Sequence, residues 1–134
     1  MASREMPPKL IAAALLIYAA ASLLHHLHNA AFVADYPDMS AGLTPGVIYA
    51  AWLAATALGA AGYLGLRRYP LIGCTLLGLY GAYGLGALLH YRLAPPSAHT
   101  LTMNATIAVE ALTAAILLVG TLALAWRRVR RRGG

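Results

Sequence analysis

Residues 10–34 read LIAAALLIYAAASLLHHLHNAAFVA, and this stretch decides the fold. It contains no Asp, Glu, Lys or Arg. About 20 mostly apolar residues suffice for a helix to cross the hydrocarbon of a bilayer. Its polar side chains crowd toward one end: Ser22, His25, His26, His28 and Asn29. Imidazole is costly in hydrocarbon and is the commonest side-chain metal ligand. One stretch therefore predicts both a membrane span and a candidate site.

Working outward, three more apolar runs follow, and the spans are read as 9–34, 45–66, 70–92 and 100–126. Hydrophobic residues make up 60% of the chain and charged residues 10%, which sets it apart from soluble domains. Pro45 and Pro70 open two of the runs, where a missing N–H costs nothing. Asp35, Asp38 and Gly42 mark the first connection as turns. Pro95 and Pro96 break the third run, and Ser97 or Thr100 is placed to cap the fourth. The expected fold is an all-α integral membrane protein, one transmembrane domain over 1–134, built as an antiparallel four-transmembrane-helix bundle.

Net charge is +6. Its placement points to a lipid partner and not to nucleic acid. Arg4 and Lys9 precede the first span, Arg67 and Arg68 lie between the second and third, and Arg127, Arg128, Arg130, Arg131 and Arg132 follow the fourth. The positive-inside rule then puts both termini in the cytoplasm, with the basic tail 127–134 at anionic headgroups. Residues 1–8 read as a short interfacial tail, and the first run as a retained span instead of a cleaved leader. The preference for Ala, Gly and Arg suggests a bacterial cytoplasmic membrane. Cys74 stands alone, which excludes an internal disulfide or a CxxC relay.

With both termini inside, all five histidines fall at the outer ends of the spans. His25, His26 and His28 close the first, His90 closes the third, and His99 precedes the fourth. At about 100° per residue, Tyr18, Ser22, His25 and Asn29 share one stripe, with His28 close beside it. His26 and His28 diverge by about 160°, and His28 is the one expected to face inward. On the fourth span His99, Met103, Thr106, Glu110 and Thr113 form a matching stripe, with Glu110 about 16 Å deeper than His99. Glu110 is the single intramembrane carboxylate. In hydrocarbon it must be protonated, paired or bound to a metal. Small residues recur at Gly78, Ala82 and Gly86, and at Ala51, Ala55 and Gly59, the spacing that lets helices approach closely in lipid. His90 extends the first of these rows by one turn.

The expected site is a histidine funnel holding a transition metal, Cu, Zn or Fe, on His25, His28, His90 and His99. Glu110 is its deep ligand, proton acceptor or supporting partner, and Asn29, Met103 and Tyr18 are supporting contacts. A membrane-embedded metalloenzyme or metal-handling protein fits this pattern. Three alternatives stand beside it: an accessory subunit of a larger membrane complex or a homo-oligomer, a bis-histidine haem b protein, and a proton-coupled transporter working through Glu110. Neither HExxH nor the Glu-x-x-His of di-iron bundles occurs.

Overall fold

A computed structural model describes residues 8–131. The tail 1–7 with Arg4, and the last residues 132–134 with Arg132, lie outside the described residues. The chain is all-helical, with α1 Pro8–Ala31, α2 Pro45–Gly65, α3 Pro70–Leu85, a short α4 His90–Leu93, and α5 Leu101–Arg130. Four stretches are long and apolar enough to cross a membrane: Lys9–Ala31, Pro45–Gly65, Pro70–Leu93 and Leu101–Arg130. The first helix stops at Ala31, short of the expected residue 34, and a 3-10 turn, Val33–Asp35, follows. The fourth runs on into the basic segment as far as Arg130.

The helix starts follow local chemistry. Thr44 caps α2 by accepting from the Val47 N–H at 3.3 Å, and Thr100 caps α5 by accepting from the Met103 N–H at 3.2 Å. Pro45 and Pro70 occupy the first turns of their helices. Asp38 has φ 54°, so its place in the first connection is that of a turn-former. Contacts run α1 to α2, α2 to α3, α3 to α5 and α5 back to α1. The four long helices thus form a closed ring with α1 and α3 on one diagonal.

The interior divides into two halves. Toward the arginine end it is apolar apart from Thr121: Ile11, Cys74, Leu77 and Leu124 form one cluster, and Tyr18, Ala55, Tyr80, Ala114 and Leu117 the next. Toward the histidine end it is polar, with Ser22, His25, His26, Asn29, His90, His99, Thr106 and Glu110 all buried.

On α2 the expected row packs closely at Ala55 and Gly59, where a Cβ on Gly59 would clash with the Tyr80 ring. On α3 close packing is carried by other glycines than the expected row. A Cβ on Gly73 would stand 2.7 Å from the Gly62 carbonyl oxygen and 2.7 Å from the Leu66 nitrogen. A Cβ on Gly84 would meet the Tyr18 hydroxyl at 2.5 Å. By contrast Ala82 is exposed, and a Cβ on Gly86 meets nothing within 4 Å. The row Gly78–Ala82–Gly86 is therefore not the helix seam. Its last two members line open space instead.

One irregularity positions the site. Between α3 and α4 the chain tightens into a 3-10 turn, Gly86–Leu89. A 3-10 residue turns about 120° where an α residue turns about 100°, so four of them rotate His90 by about 80° relative to an unbroken helix. His90 leaves the Gly78–Ala82–Gly86 row and is buried, 8% exposed.

Candidate functional site

The polar half is organised around Glu110, which is 1% exposed. His25 Nε2 lies 3.6 Å from its Oε2 and His26 Nδ1 lies 3.9 Å from its Oε1. These contacts are longer than hydrogen bonds. The stripes of α1 and α5 thus meet across the bundle, as their polar faces predict.

Hydrogen bonds fix the rings. The Thr106 hydroxyl donates to the Met103 carbonyl at 3.0 Å. His25 Nδ1–H therefore donates to Thr106 Oγ1, at 3.2 Å, and its Nε2 keeps the lone pair. Asn29 Nδ2 donates to that Nε2 at 3.0 Å and reaches His90 Nε2 at 3.5 Å. The amide bridges two imidazoles whose ring centres are 5.3 Å apart. His99 Nδ1–H donates to the Pro95 carbonyl at 3.1 Å, leaving its Nε2 lone pair turned inward. Its ring is 6.2 Å from that of His90.

Two histidines change places relative to expectation. His26 is buried, 8% exposed, and lines the cavity described below. Its Nδ1–H donates to the Ser22 carbonyl at 2.8 Å and its Nε2 accepts from the Tyr83 hydroxyl at 3.0 Å. His28 is half-buried, off the cavity, with Nδ1 2.9 Å from the Tyr36 hydroxyl. The reason is geometric. Each helix in a four-membered ring has two neighbours, so its buried arc is wide, and on α1 it extends from the His25 stripe to His26, whose ring reaches Tyr83 across the diagonal, and not to His28.

Other expected members are placed as follows. Tyr18 is fully buried and its hydroxyl donates to the Tyr80 carbonyl at 3.1 Å, so it packs below the site. Met103 is buried but does not line the cavity. Asn104 ties the preceding turn, accepting from Tyr91 at 2.8 Å and donating to the Pro96 carbonyl at 3.0 Å.

Sequence reasoning missed two tyrosines. Tyr83 appears in no polar stripe, yet it stacks on His26 at 6.0 Å. Tyr36 lies in the connection after α1, yet it is 4% exposed and its ring lies 5.0 Å from His90 and 6.4 Å from His99. A loop has no periodicity to reveal this. Burial pushes the Tyr36 phenol up to about 12, with a hydrogen bond to Thr106 opposing and the Glu110 carboxyl adding to the rise. The folded environment thus favours the neutral phenol. Its contribution to holding the loop is complete below pH 10 and is lost as pH climbs through 12. Absorbance titration at 295 nm will show one tyrosine ionising near pH 12, and Tyr36→Phe will remove that step. An unchanged titration curve in the variant refutes the placement of the ring.

A cavity of about 450 Å³ joins these groups, lined by His25, His26, Asn29, His90 and Glu110 on its polar side. Tyr83 and small apolar residues of the third span complete the wall. Three buried polar atoms of the cluster have no hydrogen-bond partner: Asn29 Oδ1, Glu110 Oε1 and His99 Nε2. Among the described residues, no three His, Cys, Asp or Glu side chains are arranged to hold one metal ion. Within the polar half the Asn29 amide stands between the two imidazoles nearest to such an arrangement. No protein-family model, no curated protein and no solved structure matches this chain.

Proposed function

We propose that the protein is an integral membrane protein that binds a first-row transition metal in its histidine half. Both termini lie in the cytoplasm of a bacterial cell, and the site faces the outer side. The basic groups at one end support this orientation through the positive-inside rule. His25, His90 and Glu110 are the core ligands and His99 approaches from one layer further out. His28, held by Tyr36, stays outside the set.

One observation carries this reading. The three unpartnered atoms of the polar half are all electron-pair donors; the other two among the described residues, the Trp52 indole N–H and the Thr121 hydroxyl, lie outside it. Buried polar atoms are rarely left unpaired, so each such atom calls for an occupant. A set made of acceptors alone fits a cation. The donor types, imidazole and carboxylate, suit Zn, Cu or Fe over Mg or Ca. His99 has the second feature of a ligand: a carbonyl fixes its Nδ1–H and leaves Nε2 free, the arrangement that orients metal-binding histidines. Binding requires the Asn29 amide to turn aside and release both Nε2 atoms.

Elemental analysis and an optical spectrum of the purified chain test this directly. Stoichiometric Zn, Cu or Fe without a Soret band is the expected result. A Soret band shifts the assignment to bis-histidine haem, for which His25 and His90 are the pair. The absence of both metal and haem overturns the proposal. The reading left standing is then an accessory subunit, for which an apolar groove of about 540 Å³ between α1 and α5, walled by Leu10, Ala14, Ile116 and Val119, supplies a helix-sized docking face.

A further inference from the structure

The cavity is far larger than an ion needs. One water takes about 30 Å³ in the liquid, and this space is about 450 Å³. Its remaining wall is Ala82, Gly86, Ala87 and Leu89, small or apolar residues with no charge to offer. Ala82, Tyr83 and Leu89 are exposed, although they belong to a stretch long and apolar enough to cross a membrane. No α2 residue lines the cavity, and between Ile48 and Ala55 α2 buries no residue. The opening therefore lies in the side of the bundle where α2 leaves the diagonal pair α1 and α3 uncovered, and not at its end. At the end, Tyr36 is packed over His90.

We infer that the cavity is a lateral portal, and that it admits the hydroxyl head of a membrane-dissolved amphiphile to the site. As the substrate class of that site, this inference rests on the metal reading; as a route of access, it stands on the cavity alone. Two atoms with unused lone pairs, Asn29 Oδ1 and Glu110 Oε1, belong to residues lining it, and a hydroxyl group donates to such acceptors. The hydrocarbon chain then lies along Ala82, Gly86 and Leu89, where a methyl or a bare Cα leaves room. A ketone or ether head lacks the donor. A charged headgroup does not cross a wall of this composition. Tyr83 stands at the mouth, 40% exposed, with its hydroxyl on His26. It is the side chain that must swing for passage.

The test uses the full chain in liposomes, freed of metal by chelation, with Cys74→Ala removing the native thiol. Ala87→Cys places a reporter inside the cavity, and Ser97→Cys one on the exposed turn after α4. Each is treated with N-cyclohexylmaleimide, which partitions into lipid, and with a sulfonated maleimide, which does not. Ser97→Cys will react with both. Ala87→Cys will react with the lipophilic reagent at least about tenfold faster than with the charged one, when each rate is normalised to Ser97→Cys. 1-Dodecanol in the bilayer will then slow labelling of Ala87→Cys about tenfold, whereas dodecyl methyl ether at equal mole fraction will not, as expected for one hydrogen bond to a buried unpaired acceptor. Equal labelling by both reagents means an aqueous funnel and overturns the portal. Failure of Ala87→Cys to react with either reagent, in protein whose helical circular dichroism matches that of Ser97→Cys, does the same. Equal protection by alcohol and ether overturns the hydroxyl class. None of these outcomes depends on metal content, so the portal and the metal site fail separately.

Discussion

Glu110→Leu will raise the thermal stability of the metal-free protein and cut its metal affinity about 100-fold or more. The two effects have opposite signs because the carboxyl contributes little to the fold. Its nearest histidine nitrogens are 3.6 and 3.9 Å away, too far for hydrogen bonds, and its Oε1 has no partner. The two imidazoles are satisfied without it, His25 by Thr106 and Asn29, and His26 by Ser22 and Tyr83. Removing the carboxyl leaves neither of these bonds broken. Burying a polar group without a partner costs about 1–3 kcal/mol, and leucine removes that cost. Losing a ligand, in contrast, exceeds the 10–100-fold that changes in a ligand's supporting partners typically cost. The measurement is a melting curve in detergent with chelator present, beside a competition titration with a chromogenic chelator. A fall in melting temperature together with unchanged metal affinity would make Glu110 a structural residue. Glu110→Gln separates charge from shape, since it keeps the volume and loses the anionic oxygen.

That Glu110 faces His25 was legible in the sequence, because two helices each carry a polar stripe in an otherwise apolar surface. In a membrane bundle such stripes have one place to go. The four long apolar helices were legible for the same reason, from length and apolar content. What periodicity cannot carry is any departure from the ideal helix. The 3-10 turn Gly86–Leu89 re-aims His90 by about 80°, and no spacing rule within the third span anticipates it. The α2 row packs closely at Gly59, but on α3 Ala82 and Gly86 line the cavity instead, and Gly73, Gly81 and Gly84 supply the close approach. On α1 a single inward direction was assumed, and a helix with two neighbours has a broader one. That choice brought His28 in and left His26 out, where the fold does the reverse. Tyr36 lies in the connection after α1, where contacts between distant segments decide burial and local pattern says nothing.

The exchange of His26 and His28 makes the histidines separable by experiment. His25→Leu and His90→Leu will each lower metal affinity by about 100-fold, and together they will abolish stoichiometric binding. His28→Ala will change it by less than about threefold, since its Nδ1 is engaged with Tyr36 and its ring does not reach the cavity. The joint loss will be less than the product of the single losses, because Asn29 bridges the same two nitrogens and both substitutions act on one site. His25→Leu also removes two hydrogen bonds, leaving Thr106 its bond to the Met103 carbonyl and Asn29 its longer contact with His90, at a cost of about 1–3 kcal/mol. Affinity must therefore be read on the folded fraction, from the ligand-field spectrum of a cobalt-substituted sample and not from total bound metal. His26→Ala supplies the control for burial: it breaks two hydrogen bonds inside the cavity wall yet removes no proposed ligand. If His28→Ala costs as much affinity as His25→Leu, the site is the i, i+3 pair on α1 suggested by spacing alone, and the part assigned to His90 falls with it. If His26→Ala matches them as well, the losses follow from disturbing the polar half as a whole and the ligand assignment is wrong.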